Sequence, residues 1–384
     1  MRVREVLMRA VQREITWIQA ADILGISARN MRRWKVKFET AGLEGVLDRR
    51  TLGHPNPRRV TRAELEKLLA LYQRRYVGVN VRHFCAIARR EHGLQWSYSF
   101  VRQALQVAGL IQKRRPRGRH RLRRPPRECL GEMLPLDGSL HAWLALRPEE
   151  RQCLIVVVDD ATRRLLHAHL CAQEGTEPVL AALHAVVTRY GVPQALYTDR
   201  ASWAAHTPQR GGLVDPARPT QVGRALARLG VEHIFAYSPQ ARGRSERLNR
   251  TLQDRLVQEL RLARIRTPER ANRFIAEVFI DRYNEEFAVA PADPASAFVT
   301  AGGVDLDQIL CHEESRQVAK DNTVAFEGVR LQIAKQPGRH SCAGLTVTVR
   351  RHLDGTHSVW WGPRRLGRFD DHGRPLQEPA EQAA

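Results

Sequence analysis

Lysine is nearly missing from this 384-residue sequence: of its 62 basic residues only six are lysine, at 35, 37, 67, 113, 320 and 335. Cysteine pairs are missing too. The six cysteines, at 85, 129, 153, 171, 311 and 342, include no Cys-x-x-Cys spacing. That spacing suggests neither a zinc knuckle nor a disulfide framework and fits a reduced, cytoplasmic compartment. No apolar run reaches the roughly 18 residues that a membrane span needs. The opening stretch, MRVREVLMRAVQRE, is charged throughout and does not read as a signal peptide.

What is present is arginine, and it is unevenly placed. Residues 1–128 hold 30 Lys+Arg against 10 Asp+Glu, a net of +20, whereas residues 129–384 hold 32 against 31, a net of +1. A uniformly basic globular enzyme is therefore excluded. The picture is a basic N-terminal third joined to a nearly neutral body, and such a bias points to a polyanionic partner, with nucleic acid the commonest.

The basic third reads as helices. Residues 3–13 form one, and Thr16-Trp-Ile-Gln19 is a capping box opening a second through Ala20, Ala21, Ile23 and Leu24. Gly25 supplies a turn, and Ser27 caps a third helix to about Phe38. Arg29, Asn30, Arg32, Arg33, Lys35 and Lys37 surround Met31, Trp34 and Phe38 on it. Two short helices, a Gly turn and a cationic second helix describe a helix-turn-helix in residues 1–57, its second helix suited to the major groove of double-stranded DNA. After Pro55 and Pro57 the unit recurs in 58–111. Thr61-Arg-Ala-Glu64 is a second capping box, Asn80 and either Ser97 or Ser99 cap two more helices, and the last presents Arg102 and Gln103. Residues 112–127, QKRRPRGRHRLRRPPR, carry nine Lys+Arg, three Pro and no acid. They cannot pack a core, so 112–128 is a basic linker, with Arg114 and Arg115 expected against phosphates.

From 129 the pattern alternates between strand and helix. Strands are expected over 133–144, on both sides of a turn at Asp159-Asp160 within 153–170, over 194–200 and over 231–237. Helices are expected at 177–190, 220–229, 246–262 and 268–287. That order describes a ribonuclease-H-like α/β core over 129–289. Three acids stand out. Asp137 is mid-strand between Leu136 and Gly138, Asp199 ends a strand, and Glu246 starts a helix after a Gly-containing loop. First and fourth strands are neighbours in such a sheet, so three converging carboxylates could hold two Mg²⁺ ions. Asp159 and Asp160 read instead as hairpin-turn residues, and Asp254 and Glu259 as surface partners of nearby arginines.

These residues carry a resemblance. Asp137 in LPLDGSLHAWL, Asp199 in LYTDRASW and Glu246 in SPQARGRSERLNRTLQDRLVQELRL resemble the Asp–Asp–Glu triad of retroviral-integrase-superfamily transposases, above all the ISNCY-type bacterial insertion-sequence group. The similarity covers nearly the whole chain. Arg242 stands where that family usually has Lys and keeps the charge, Trp203 stands where relatives often have Phe, and the 47-residue interval between Asp199 and Glu246 exceeds that of retroviral integrases. No zinc module is implied. The resemblance implies hydrolysis at transposon ends and strand transfer into target DNA, with Mg²⁺ (or Mn²⁺ in its place) held by Asp137, Asp199 and Glu246. It also implies a homo-oligomer of at least two copies on DNA and a bacterial, nucleoid-associated location. Arg244, Arg247, Asn249 and Arg250 become candidates for contacting transposon-end phosphates.

After a linker at 290–304, short strands around the Asp354-Gly355 turn suggest an SH3-like barrel over 306–370, followed by a disordered tail, 371–384. The family uses such a barrel for DNA contact, which makes Arg350, Arg351, Arg364 and Arg365 candidates; a purely structural barrel is the alternative. The fold class is thus multidomain: all-α helix-turn-helix domains, an α/β ribonuclease-H-like core and a small all-β barrel. The rival functions are a catalytically inert regulator derived from a transposase and a stand-alone ribonuclease-H-like nuclease. The intact triad argues against the first and the flanking DNA-binding regions against the second.

Overall fold

The structure is a computed structural model that describes residues 2–46, 60–112, 125–208, 212–215, 217–237 and 243–376. Pro55, Pro57, Arg114, Arg115, Arg242 and the tail from 377 lie outside them, and Arg244 is described by its backbone alone. The chain divides into two compact units, Met1–Arg75 and Tyr76–Ala384. The division falls inside the stretch expected as a second helix-turn-helix.

In the first unit, α1 (Arg2–Val11), α2 (Trp17–Leu24) and α3 (Ala28–Val46) pack around Val6, Leu7, Ala10, Ala20, Ala21 and Met31. Local chemistry sets their ends. Gln19 N donates to Thr16 Oγ1 at 3.2 Å while Thr16 N donates to Gln19 Oε1 at 2.8 Å, so two N–H groups at the helix start are satisfied reciprocally. Gly25 closes α2 at φ +66°, left-handed backbone that side chains disfavour. Asn30 N donates to Ser27 Oγ at 3.3 Å. The helical geometry of α3 runs past Phe38 and breaks at Ala41 and Gly42. After it, α4 (Arg62–Arg75) begins at the Thr61–Glu64 capping box.

The second unit opens with α5 (Val81–His92) and α6 (Tyr98–Val107), capped by Asn80 and Ser97. Its core is a five-stranded sheet of β1 (Leu134–His141), β2 (Gln152–Val158), β3 (Leu165–Cys171), β4 (Ala195–Thr198) and β5 (Glu232–Phe235), in the order β3-β2-β1-β4-β5. The first three strands are antiparallel, while β1–β4 and β4–β5 are parallel. Parallel neighbours need crossovers, supplied by α7 (Thr176–Tyr190) and α8 (Gln221–Leu229). These two cover one face through Val179, Leu183, Val222 and Leu226 against Leu136, Ile155 and Leu196. The other face is covered by α9 (Gly243–Leu262), α10 (Pro268–Phe274) and α11 (Ile280–Phe287), the last two joined by a π-helical turn at Ile275–Phe279. Every residue of β2 is buried. A central strand covered on both faces becomes a continuous apolar run.

Helix α9 also carries α5. Glu259, expected on the surface, is instead buried: His83 Nε2 meets its Oε1 at 2.9 Å and Arg282 Nη1 its Oε2 at 3.1 Å. Asn80 donates to Asp254 one turn earlier. A lone buried carboxylate is costly, and α5 supplies the partner that a short-range charge pattern does not show.

The C-terminal strands are β6 (His312–Gln317), β7 (Thr323–Phe326), β8 (Val329–Gln332), β9 (Thr346–Arg351), β10 (His357–Trp361) and β11 (Arg364–Phe369). They form a four-stranded sheet, β11-β10-β9-β6, and a β7-β8 hairpin around Val324, Phe326, Leu331, Val349 and Val359. Among the described residues these ladders do not close into a ring. Residues 371–376, expected to be disordered, include Leu376, whose N–H donates to Arg368 O at 2.8 Å.

Candidate active site

The position of Asp137 follows from strand alternation. Leu136 and Gly138 turn towards α7, so Asp137 and Ser139 turn towards α9. There Asn249 Nδ2 donates to Asp137 Oδ2 at 2.8 Å and Gln253 Nε2 to Ser139 Oγ at 3.2 Å. Asn249 and Gln253 are one helical turn apart, so α9 runs along β1 with the buried Asp137 carboxylate under its N-terminal half.

Asp199 follows the strand next to β1. β1 and β4 pair in parallel with Leu134 opposite Leu196 and Pro135 opposite Tyr197, and Asp137 and Asp199 each come two residues after that last pair. Asp199 lies just beyond β4, where Ala201 N donates to its Oδ1 at 2.8 Å. Behind it, His233 Nε2 and Thr198 Oγ1 are 2.9 Å apart, and Thr198 Oγ1 donates to Asp199 O at 2.8 Å. Burial lowers the His233 pKa to about 4, so the ring is neutral at pH 7.

Glu246 lies exposed in the first turn of α9, one turn before Asn249. The structure therefore places Asp137 on β1, Asp199 just past the end of the neighbouring β4, and Glu246 on the helix that touches Asp137. Among the described residues, no three His, Cys, Asp or Glu side chains stand close enough together to hold a metal ion. The local chemistry still suits a hard cation. Asp137 is a buried carboxylate, and beside it the buried Asn249 Oδ1 accepts no hydrogen bond among the described residues. Oxygen donors of this kind are what Mg²⁺ takes.

Asp159 and Asp160 are hairpin residues. Asp159 accepts from Gly131 N at 2.9 Å and from Thr162 N and Oγ1 at 2.7 and 2.6 Å, and Asp160 accepts from Arg127 N at 2.9 Å. Glu174 escaped the sequence reading. Its carboxylate lies under Gly138, where any Cβ would meet Glu174 Cδ at 2.5 Å, and Trp203 Nε1 donates to it at 2.9 Å. This ties the loop after Asp199 to the strand of Asp137, and the glycine directly after Asp137 was its one visible signal.

The candidate DNA contacts separate by environment. Arg29, Asn30, Arg32, Arg33 and Lys37 are exposed on α3, whereas Lys35 is half-buried beside Glu39 and Trp17. Arg102 is exposed on α6, and Arg247 and Arg250 on α9; the Asn249 amide is turned inward to Asp137. Arg350 and Arg351 are engaged internally. Arg350 Nε donates to Glu313 Oε2 at 2.9 Å, and Arg351 pairs with Glu177 and Glu327. Glu313 also takes Arg228 and Arg224 of α8. Burial opposes its charge, but hydrogen bonds from Arg228 and Arg350 outweigh that and hold its carboxyl below the usual range. Arg364 and Arg365 remain exposed.

Sheet order and helical coverage define the class: a mixed five-stranded α/β core with helices on both faces, preceded in the sequence by a helix-turn-helix. Comparison with known proteins gives the family. A helix-turn-helix domain family matches residues 4–54. A protein of Sinorhizobium fredii (strain NBRC 101917 / NGR234) named as a transposase, y4bF, is 32% identical over 361 residues, 93% of this chain and 78% of that protein. The transposase for insertion sequence IS1202 of Streptococcus pneumoniae is 27% identical over 73% of this chain and 67% of its own. The chain belongs to the insertion-sequence transposases. Among solved structures, a simian T-cell lymphotropic virus intasome in complex with a PP2A regulatory subunit covers 73% of this chain and 92% of its own at 13% identity and TM-score 0.33. The HTLV-2 integrase catalytic core with magnesium covers 38% and 82% at 14% identity and TM-score 0.28. No helix among the described residues is long and apolar enough to cross a membrane.

Proposed function

We infer that this transposase cleaves and joins DNA at the face of the sheet beneath α9, with Asp137, Asp199 and Glu246 as its metal-holding acids. The observation that supports the reading is the parallel β1–β4 pairing, whose last pair, Pro135 opposite Tyr197, stands two residues before Asp137 and Asp199, together with the Asn249 bond that brings α9 over Asp137. Divalent ions, Mg²⁺ or Mn²⁺, bound by these carboxylates supply Lewis-acid neutralisation of the charge that builds on a phosphodiester in displacement. The chain's own groups do the positioning. Asn249 orients the Asp137 carboxylate, the Ala201 N–H orients that of Asp199, and the Thr198–His233 pair fixes the backbone between them. Arg247 and Arg250, on the turn that carries Glu246, are suited to orienting phosphates, and Arg244 belongs to the same turn by sequence. Helix α3 supplies sequence recognition, α6 with Arg102 a second contact, and the linker with Arg114 and Arg115 a phosphate track. The C-terminal strands serve as an SH3-like module. Two copies of the chain bring two transposon ends together, since one site cannot easily act on both.

The test is cleavage of a labelled transposon-end duplex beside a gel shift. Asp137→Asn, Asp199→Asn and Glu246→Gln keep side-chain size and remove charge. Each is expected to lose roughly 10²-fold or more in cleavage rate, as misplaced catalytic groups do, while DNA binding persists. Wild-type cleavage by Asp199→Asn or Glu246→Gln would falsify the assignment.

A further inference from the structure

Beside the candidate site, on the same face of the sheet, lies a cavity of about 240 Å³. Its walls include Val158, Leu248 and Phe287, and Tyr283 lines it with its ring 4.8 Å from that of Phe287. Tyr283 is only 7% exposed, and its hydroxyl makes no hydrogen bond among the described residues. Burial pushes its pKa up to about 12, so at neutral pH it stays a proton donor. Buried phenols usually find a partner; this one faces a space that a partner could enter.

The rim is cationic. Arg163 and Arg247 are exposed and both line the cavity. Arg163 sits at φ +59°, in the left-handed region where an arginine is uncommon, in a turn whose Arg163 N donates to Asp159 O at 2.9 Å. Backbone held in this way beside an active site is a recurrent mark of function. Arg247 directly follows Glu246, and Pro135, another wall residue, is two residues from Asp137 on the same strand. DNA lying at the site would pass the mouth of the cavity.

The chemistry selects the ligand. Aliphatic and aromatic walls that carry the Tyr283 hydroxyl, the Thr251 hydroxyl being already bonded to Arg247 O at 2.9 Å, suit a flat ring with a polar edge, while the Arg163 and Arg247 guanidinium groups suit the backbone on either side of it. A phosphate is disfavoured inside, because two acidic residues, Asp159 and Asp160, belong to the lining. We propose that this cavity receives one base unstacked from the DNA held at the Asp137 face, with Phe287 and Tyr283 packing against it and the Tyr283 hydroxyl bonding its edge. This rests on the transposase reading and adds to it a point at which the duplex is opened and read.

The experiment uses the full chain and duplexes cut from the DNA that brackets its coding region, with 2-aminopurine placed singly at each position. One position is expected to change its emission several-fold on binding. Phe287→Ala should abolish that change and weaken binding of the duplex roughly tenfold, the scale of removing one aromatic–base stack. Tyr283→Phe removes one oxygen and keeps the ring, so folding is preserved, and the extruded population should fall roughly fivefold, as for one neutral hydrogen bond. If the wild type binds and cleaves these duplexes and no position stands out, the proposal fails while the transposase reading survives. If a position stands out equally in both variants, the base goes elsewhere and the proposal fails again. A wild type that neither binds nor cleaves overturns both.

Discussion

Asp159 shows how little a residue's type says about its role. It is a carboxylate at the end of a buried strand, as a catalytic acid would be, yet it is fully buried and accepts three hydrogen bonds, from Gly131 and twice from Thr162. Those bonds close the β2–β3 turn and anchor the chain before β1. Asp137, by contrast, is bonded by an amide from a helix 112 residues away. The two acids therefore respond oppositely to substitution. Asp159→Ala leaves two backbone N–H groups and a hydroxyl unpaired in the interior, at about 1–3 kcal/mol for each buried group left so. It should lower the urea midpoint clearly, whereas Asp137→Asn should hardly move it. Equal midpoints for Asp159→Ala and the wild type would remove the structural role given to Asp159.

At the scale of elements, α9 does two jobs. Its first half lies along β1 above Asp137, and its second half holds α5 through Glu259 and His83, 2.9 Å apart and nearly sealed from solvent. Burial pushes the Glu259 carboxyl up, but the His83 hydrogen bond and the charges of His83, Arg90 and Arg282 push it further down, below its usual 4.5. The sign follows. A carboxyl depressed in the folded state stabilises fully above pH 4.5, and that contribution is lost as pH falls through the lower folded value. Glu259→Ala should cost about 3–5 kcal/mol, the range for breaking a buried pair, and should flatten stability against pH in that acid window. Circular dichroism across a urea series at several pH values measures both. A loss below about 1 kcal/mol would show that α5 is held by its apolar contacts alone.

Across the whole molecule charge and chemistry are segregated: a net of +20 in residues 1–128 and +1 in the remainder. Binding strength should come mainly from the first part and cleavage from the second. Each phosphate left without its neutralising side chain should reduce the slope of log affinity against log salt by about 0.9. A triple variant, Arg29→Ala with Asn30→Ala and Arg33→Ala, should lower that slope and the discrimination between a cognate end and random duplex, yet leave the core folded. Competition gel shifts over a salt series read both quantities. Unchanged discrimination would take recognition away from α3.

The sequence by itself determined the features whose causes lie within a few residues. The capping boxes at Thr16 and Thr61, the cap at Asn80, the Gly25 turn and the Asp354-Gly355 hairpin all form between near neighbours, while the choice of Ser97 over Ser99 as a cap was made by the structure. The order of strands and helices in the core was legible as well, because buried strands and amphipathic helices carry different periods. Strands β6, HEESRQ, and β11, RRLGRF, were not legible. Both lie at edges of the C-terminal sheet and lack apolar alternation, and β6 has no buried residue. The partner of Glu259, the amide on Asp137, the carboxylate under Gly138 and the cavity at Tyr283 were decided only by tertiary structure. Each joins residues tens to well over a hundred positions apart, and such distances leave no mark on local pattern. The three acids themselves were readable as motifs, but the pairing of β1 with β4 is a matter of strand register, and register is set by the packing of both faces.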